Sequence, residues 1–117
     1  MRAYYAHCKG IYGTPQETRD IAILESLGFD VLNPSDSQYD DSWREHGMDF
    51  KDVLLAQCGC IAFRALPDGA IPAGVYTELA KAIRDYGIPA IELPSSILRR
   101  GIDVEQTREY LREIGER

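Results

Sequence analysis

Apolar runs alternate with amphipathic stretches along this chain, and this alternation constrains the fold more than any other feature. The runs that predict strands lie at residues 2–8, 29–32, 58–63 and 88–93. Helical patterns lie between them, and a last one follows residue 103. Strands that alternate with helices are typical of βαβ units around a parallel sheet.

Helix boundaries support this interpretation. Thr14, Pro15 and Glu17 predict a capped helix start, with Glu17 closing a capping box, and Asp103 with Gln106 forms a second such signal. At 117 residues the chain has the length of one domain, which we assign to residues 1–117. We therefore expect a small doubly wound α/β domain, flavodoxin- or Rossmann-like. Its parallel sheet has four to five strands flanked by helices, and residues 96–98 are the weak candidate for the fifth.

The charge and hydropathy of the chain exclude several classes of partner. Nineteen acidic against thirteen basic residues give a net charge of −6, which disfavours duplex nucleic acid and anionic membranes. The sequence has no apolar run near the roughly 20 residues of a membrane span, and its N-terminus lacks a signal-peptide core. We expect a cytoplasmic protein with no membrane partner.

Three cysteines, Cys8, Cys58 and Cys60, fit that compartment, because an odd count with Cys-x-Cys spacing does not form a disulfide framework. His7 and His46 are candidates to join them around a metal. Structural zinc, however, usually shows paired knuckles, and only one close cysteine pair is present. We expect reduced thiols, no metal and no cofactor.

Ligands of an open parallel sheet bind beyond the carboxyl ends of its strands. This rule selects residues 7–14, 33–45, 64–78 and 93–96. Gly10, in the first stretch, suits either an anion held on backbone amides or a plain turn. The acidic residues around Trp43 suit either a solvated loop or a lid with Trp43 as its apolar wall.

Glu78 has a distinctive position within the third stretch. It follows the helix start at Gly74 by about one turn, and its neighbours Val75 and Leu79 fall on the predicted buried stripe. One interpretation is a surface glutamate favoured by the helix dipole. The other is a carboxylate nucleophile in a sheltered pocket.

Several motifs stand in an order that resembles a known family. They are Tyr4-x-Ala6, Gly28-Phe29-Asp30-Val31-Leu32-Asn33-Pro34, Asp49 to Cys58, Gly74-Val75-Tyr76-Thr77-Glu78 leading into Ala82, and Gly87-Ile88-Pro89. Together, from about residue 2 to residue 93, they resemble the nucleoside 2-deoxyribosyltransferase superfamily, which includes the nucleotide N-glycosidases.

The resemblance implies cleavage or exchange of the N-glycosidic bond of a nucleoside or nucleoside 5′-monophosphate. Glu78 would attack C1′ and form a glycosyl-enzyme. Tyr4 matches the tyrosine that orients this glutamate, although a tyrosine packed in the sheet is the alternative. Asp49 matches the acid that binds sugar hydroxyls or protonates the base, with a plain helix-face acid as the alternative and Asp52 as the backup.

The resemblance also implies substrate contacts and an assembly. Asn33 and Trp43 would contact the base. The family often has Gly-Pro where this chain has His7-Cys8, which makes His7 a candidate ligand contact. Another departure is Gly59, which stands where the family has an acid. A neighbouring subunit commonly completes the pocket in this family, so we expect a homodimer or larger.

Two further classes of function were compared with this fold. A non-catalytic nucleotide or nucleotide-sugar sensor is compatible with the same fold, whereas a phospho-receiver domain is disfavoured because the first strand ends without paired acids. Lys9 and Arg64 are the few basic residues at the predicted rim, which favours an unphosphorylated or singly phosphorylated substrate. The sequence leaves hydrolase and transferase open.

Overall fold

A four-stranded parallel sheet forms the centre of the computed structural model, which describes residues 1–40, 44–45, 50–94 and 101–115. Its strands lie in the order β2-β1-β3-β4. They are β1 (Arg2–Ala6), β2 (Asp30–Leu32), β3 (Cys60–Phe63) and β4 (Ala90–Glu92). In register, Ala3 lies opposite Val31 on one side and Cys60 on the other. Since β2 and β3 lie on opposite sides of β1, the order of the strands reverses at β1. In open α/β sheets, ligands bind at such a switch point.

Helices cover both faces of the sheet. On one face lies α1 (Pro15–Ser26), and on the other lie α2 (Phe50–Leu55) and α3 (Ala73–Asp85). The last helix, α4 (Val104–Glu113), has no buried residue. The structure confirms the predicted α/β fold with a parallel sheet flanked by helices. The candidate fifth strand at residues 96–98 lies outside the described residues.

The core divides into two clusters because successive side chains of a strand point to opposite faces. Tyr4 of β1 packs in the cluster that contains Leu54 of α2 and Leu79 of α3. Its neighbour Tyr5 packs on the other face with Leu24 of α1. Adjacent tyrosines of one strand therefore serve different layers of the fold.

Two predicted apolar stripes are wider than the buried surface. The sequence predicts a buried stripe of Val75, Leu79, Ala82, Ile83 and Tyr86 on α3. The first three are buried, but Ile83 and Tyr86 are exposed. A helix that packs on a sheet with one face buries a single stripe, and Ile83 lies beyond its edge. The sequence also predicts a buried stripe of Val104, Tyr110, Leu111 and Ile114 on α4. There Leu111 is only partly buried and the other three are exposed. Across the described ranges, each helix is too short or too polar to cross a membrane.

Candidate functional site

A cavity of about 670 Å³ opens beyond the carboxyl ends of β1 and β2, at the start of α3. Its volume falls within the range of roughly 300–1,000 Å³ that is typical of small-molecule sites. It is lined by His7, Cys8, Lys9 and Tyr12 after β1, by Pro34, Ser35, Asp40 and Arg44 after β2, and by Pro72, Gly74, Val75 and Glu78 around the start of α3. The site therefore lies at the edge of the sheet that the sequence analysis selected.

Glu78 brings a buried carboxylate to this cavity. The residue is only 6% exposed, because Val75 and Leu79 on either side of it anchor α3 in the core. The side chain of Tyr4 lies behind it in β1 and is fully buried. Burial raises the pKa of Tyr4 well above its usual range, and the negative charge of Glu78 raises it further. The phenol therefore stays neutral and protonated beside the carboxylate.

Tyr12 is a half-buried cavity residue that the sequence analysis did not single out. Burial raises its pKa, and the carboxylates of Glu78 and Glu17 raise it further. Its ring centroid lies 4.8 Å from that of His7. The sequence signal that could have selected Tyr12 is its position between the first strand and the first helix, because that connection lies at the ligand edge of the sheet.

His7 lies buried in the wall of the cavity with both ring nitrogens engaged. Nδ1 is 3.1 Å from the backbone oxygen of Tyr5, and Nε2 is 2.7 Å from Oε2 of Glu17. The imidazole also stacks on the ring of Tyr5, with 3.8 Å between centroids. His7 therefore offers the cavity its ring, while its two nitrogens bind protein groups.

Glu17 connects three segments around the site. Besides His7, its carboxylate accepts hydrogen bonds from Ser35 Oγ at 2.9 Å and from the Gly13 N–H at 3.3 Å. Burial alone would raise the pKa of Glu17, but the hydrogen bonds from His7, Ser35 and Gly13 outweigh it and lower the pKa. The predicted capping box is thus only half formed. The Glu17 N–H donates to Thr14 Oγ1, but the Thr14 N–H donates to the Ile11 carbonyl.

The other predicted site residues have different positions. Gly74 lines the cavity, and Gly10 lies in a 3-10 turn at Lys9–Ile11. The Asn33 side chain accepts hydrogen bonds from Ser35 N and Oγ at 3.0 and 2.9 Å, and so helps to fix a cavity residue. Asp52 lies on α2. Asp49 and Trp43 lie outside the described residues, so their roles stay predictions.

The acidic stretch after β2 contributes polar groups of both signs. Asp40 and Arg44 line the cavity, whereas the choice between a lid and a solvated loop for the stretch as a whole stays a prediction. Asp36 is exposed, and its side chain accepts from the Gln38 N–H at 3.1 Å. In the part of the chain that the structure describes, no cluster of three or more His, Cys, Asp or Glu residues is arranged to hold a metal ion.

Asp20 forms a second polar centre beneath the site. It is fully buried and accepts hydrogen bonds from Tyr5 Oη at 2.5 Å, from Gln16 at 2.8 Å and from Arg64. Burial alone would raise the pKa of Asp20, but these hydrogen bonds outweigh it and lower the pKa. Arg64, predicted as a basic residue of the rim, instead binds Asp20 and the Pro94 carbonyl.

These contacts link the carboxyl ends of the strands. Arg64 follows β3 and reaches the segment after β4, while Asp20 joins it to Tyr5 in β1. The stacked rings of Tyr5 and His7 continue the chain of contacts to Glu17 and Ser35. The cavity wall is therefore held by side chains from several elements. Comparison of the chain with protein-family models, with curated proteins and with solved structures gives no match.

Proposed function

We propose that this protein cleaves or exchanges the N-glycosidic bond of a nucleoside or nucleoside 5′-monophosphate, with Glu78 as the nucleophile. The observation that carries the proposal is a buried glutamate that lines a cavity at the ligand edge of a parallel sheet. Glutamate is among the residues that are most rarely buried. The family resemblance of the sequence around Tyr4 and Glu78 supports this particular chemistry.

The proposed reaction proceeds in two steps. In the first step an oxygen of Glu78 bonds to C1′ while the C1′–N bond breaks. The electron pair of the C1′–N bond leaves with the base, which takes up a proton. Water, or the nitrogen of a second base, then attacks C1′ from the opposite side, releases Glu78 and loses a proton. Two inversions retain the configuration at C1′. The carboxylate also stabilises the positive charge that develops on the sugar.

The cavity has a suitable size and charge for such a substrate. A volume of about 670 Å³ accommodates a nucleoside or its monophosphate. Lys9 and Arg44 supply positive charge at the cavity, and Asp40 and Glu78 supply negative charge. We therefore expect at most a singly phosphorylated substrate. We also propose that the reaction takes place in the cytoplasm. We further propose a homodimer or larger assembly, which light scattering tests directly.

The test is base release from a panel of ribo- and 2′-deoxynucleosides and their 5′-monophosphates, with and without a free base as acceptor. Chromatography separates hydrolysis from exchange. We expect Glu78→Gln to abolish turnover while circular dichroism stays native. Glu25→Gln is the matched control, because Glu25 is an exposed glutamate of α1, and it should retain full activity.

Trapping provides a more direct test of the nucleophile. A 2′-fluoroarabino nucleoside slows the second step, so wild-type protein should gain the mass of the sugar on the peptide that contains Glu78. Turnover that is unchanged in Glu78→Gln would overturn the mechanism. Stabilisation of the wild-type protein by a nucleotide without any product would instead identify a non-catalytic binding domain.

A further inference from the structure

Glu17 stands behind the cavity wall and contacts two of the segments that form it. Oε2 lies 2.7 Å from Nε2 of His7 and 2.9 Å from Oγ of Ser35, and both of these residues line the cavity. Oε1 accepts from the N–H of Gly13 at 3.3 Å. One carboxylate thus joins the end of β1, the start of α1 and the segment after β2.

The hydrogen atoms of this cluster follow from its acceptors. A backbone carbonyl only accepts, so Nδ1 of His7 donates its proton to Tyr5 O. Nε2 of His7 and Oε2 of Glu17 form the short hydrogen bond of the cluster, at 2.7 Å. The one proton of the Ser35 hydroxyl is shared between the same carboxylate and Asn33 Oδ1, each 2.9 Å from Oγ. Charge-assisted hydrogen bonds of this kind are stronger and more directional than neutral ones.

The rings above and beside His7 restrict it further. Tyr5 stacks on the imidazole with an interplanar angle of 6°, and Tyr12 packs against it at 55°. Stacking fixes the plane of the ring, but a ring can still turn within that slot. Two hydrogen bonds fix its rotation, that of Nδ1 to Tyr5 O within β1 and the shorter one of Nε2 to Glu17, which ties the ring to α1.

We propose that Glu17 is a positioning residue that sets the shape of the substrate cavity by fixing His7 and Ser35 together. As a statement about substrate, this rests on the proposed function. Glu17 touches neither Glu78 nor the reacting bond in this scheme. Loss of the Glu17 carboxylate is therefore expected to weaken substrate binding far more than it slows the conversion of bound substrate.

The kinetic test compares Glu17→Ala with Glu25→Ala, which removes an exposed carboxylate from the same helix. Loss of a hydrogen-bonded charged group predicts that Glu17→Ala raises KM by about tenfold or more. The kcat per active molecule should change less than about threefold. Glu17→Gln keeps one carbonyl oxygen that can accept the hydrogen bonds of His7 and Ser35, so it should restore most of the lost affinity. Ser35→Ala, a milder change, should raise KM by about two- to fivefold.

A purely structural role predicts a different result. It would lower the unfolding temperature and the active fraction while KM stays constant, and Glu17→Gln would then rescue folding alone. Either that pattern or an unchanged KM in Glu17→Ala would overturn the proposal.

A second readout needs no substrate, so it separates this proposal from the proposed function. The chain has two histidines, and a His46→Gln background leaves only the ring signals of His7 in ¹⁵N NMR. Glu17→Ala should shift the Nε2 resonance and Glu25→Ala should not. Absence of base release by the wild-type protein would defeat the proposed function alone, whereas unchanged His7 signals in Glu17→Ala would defeat the positioning role.

Discussion

The hydroxyl of Tyr4, from the central strand, lies beside the carboxylate of Glu78, from the second turn of α3, with both side chains buried. Tyr4 is 0% and Glu78 is 6% exposed. Burial, and then the Glu78 charge, keep the pKa of Tyr4 far above its usual range. Among the described residues Tyr4 Oη has no hydrogen-bond partner, and a neutral phenol beside a carboxylate is a donor that can orient it.

The first prediction concerns this pair. Tyr4→Phe removes the hydroxyl but keeps the ring that packs against Leu54 and Leu79. A carboxylate without its neighbouring donor samples more orientations, so kcat for base release should fall by about 10- to 100-fold. The unfolding free energy should change by less than about 2 kcal/mol. Steady-state kinetics and urea unfolding measure the two effects, and an unchanged kcat would show that Tyr4 only packs in the sheet.

The second prediction concerns the buried ion pair of Asp20 and Arg64. Asp20 is fully buried, and the Arg64 side chain is 11% exposed. Removal of one partner leaves the other charge unpaired in the interior, so Asp20→Ala should cost about 3–5 kcal/mol of unfolding free energy. Arg64→Ala should cost a similar amount. The double variant should cost clearly less than the sum, because no isolated charge remains. Additive losses in urea unfolding would contradict this pairing.

The fold could be predicted from the sequence because its signals are local. Apolar runs, helix caps and turn residues each act within a few positions. They predict where each strand ends, and in a parallel sheet these ends lie at the same edge. The place of Glu78 in the cavity wall could be predicted for the same reason, because it follows a helix start and stands between the core residues Val75 and Leu79.

The contacts behind the cavity wall could not be predicted in this way. An aspartate within a helix is usually exposed to solvent. Asp20 is instead buried, because Arg64, 44 residues away in the sequence, forms an ion pair with it. Glu17 matched a local capping signal, yet its main partners are His7 and Ser35, which lie in the segments after β1 and β2. Such pairings depend on the order of strands in the sheet, which no local pattern encodes.

The third prediction concerns stability in acid. Hydrogen bonds keep the pKa of Glu17 below its ordinary 4.5 and that of Asp20 below its ordinary 3.8. A lowered pKa in the folded state means that each carboxylate stabilises the fold above its unfolded-state pKa. This stabilisation is lost as the pH falls through the folded-state value.

We therefore expect the urea midpoint of the wild-type protein to fall as the pH drops below about 4.5. Asp20→Asn and Glu17→Gln should be less stable at pH 7 and should show a shallower decline in acid. Glu25→Gln, which alters an exposed carboxylate, should retain the wild-type slope. An acid slope in Asp20→Asn equal to that of the wild-type protein would show that this carboxyl does not govern it.

The last prediction separates the three thiols. Cys8 is partly exposed and lines the cavity, whereas Cys58 and Cys60 are buried. Burial raises the pKa of Cys58 to about 11 and also raises that of Cys60. Since the thiolate is the reactive form, a pKa two units above the ordinary 9.0 reduces the reactive fraction of Cys58 by about a hundredfold.

Brief treatment of the folded protein with iodoacetamide at pH 8 should therefore add one label, at Cys8. The same treatment in urea should add three, since the chain has three cysteines. Peptide mass spectrometry identifies the labelled sites, and Cys8→Ser should take up no label when folded. A nucleoside or nucleotide that occupies the cavity should slow the reaction of Cys8, because that thiol lines its wall. Labelling of Cys58 as fast as Cys8 would contradict the burial that raises its pKa.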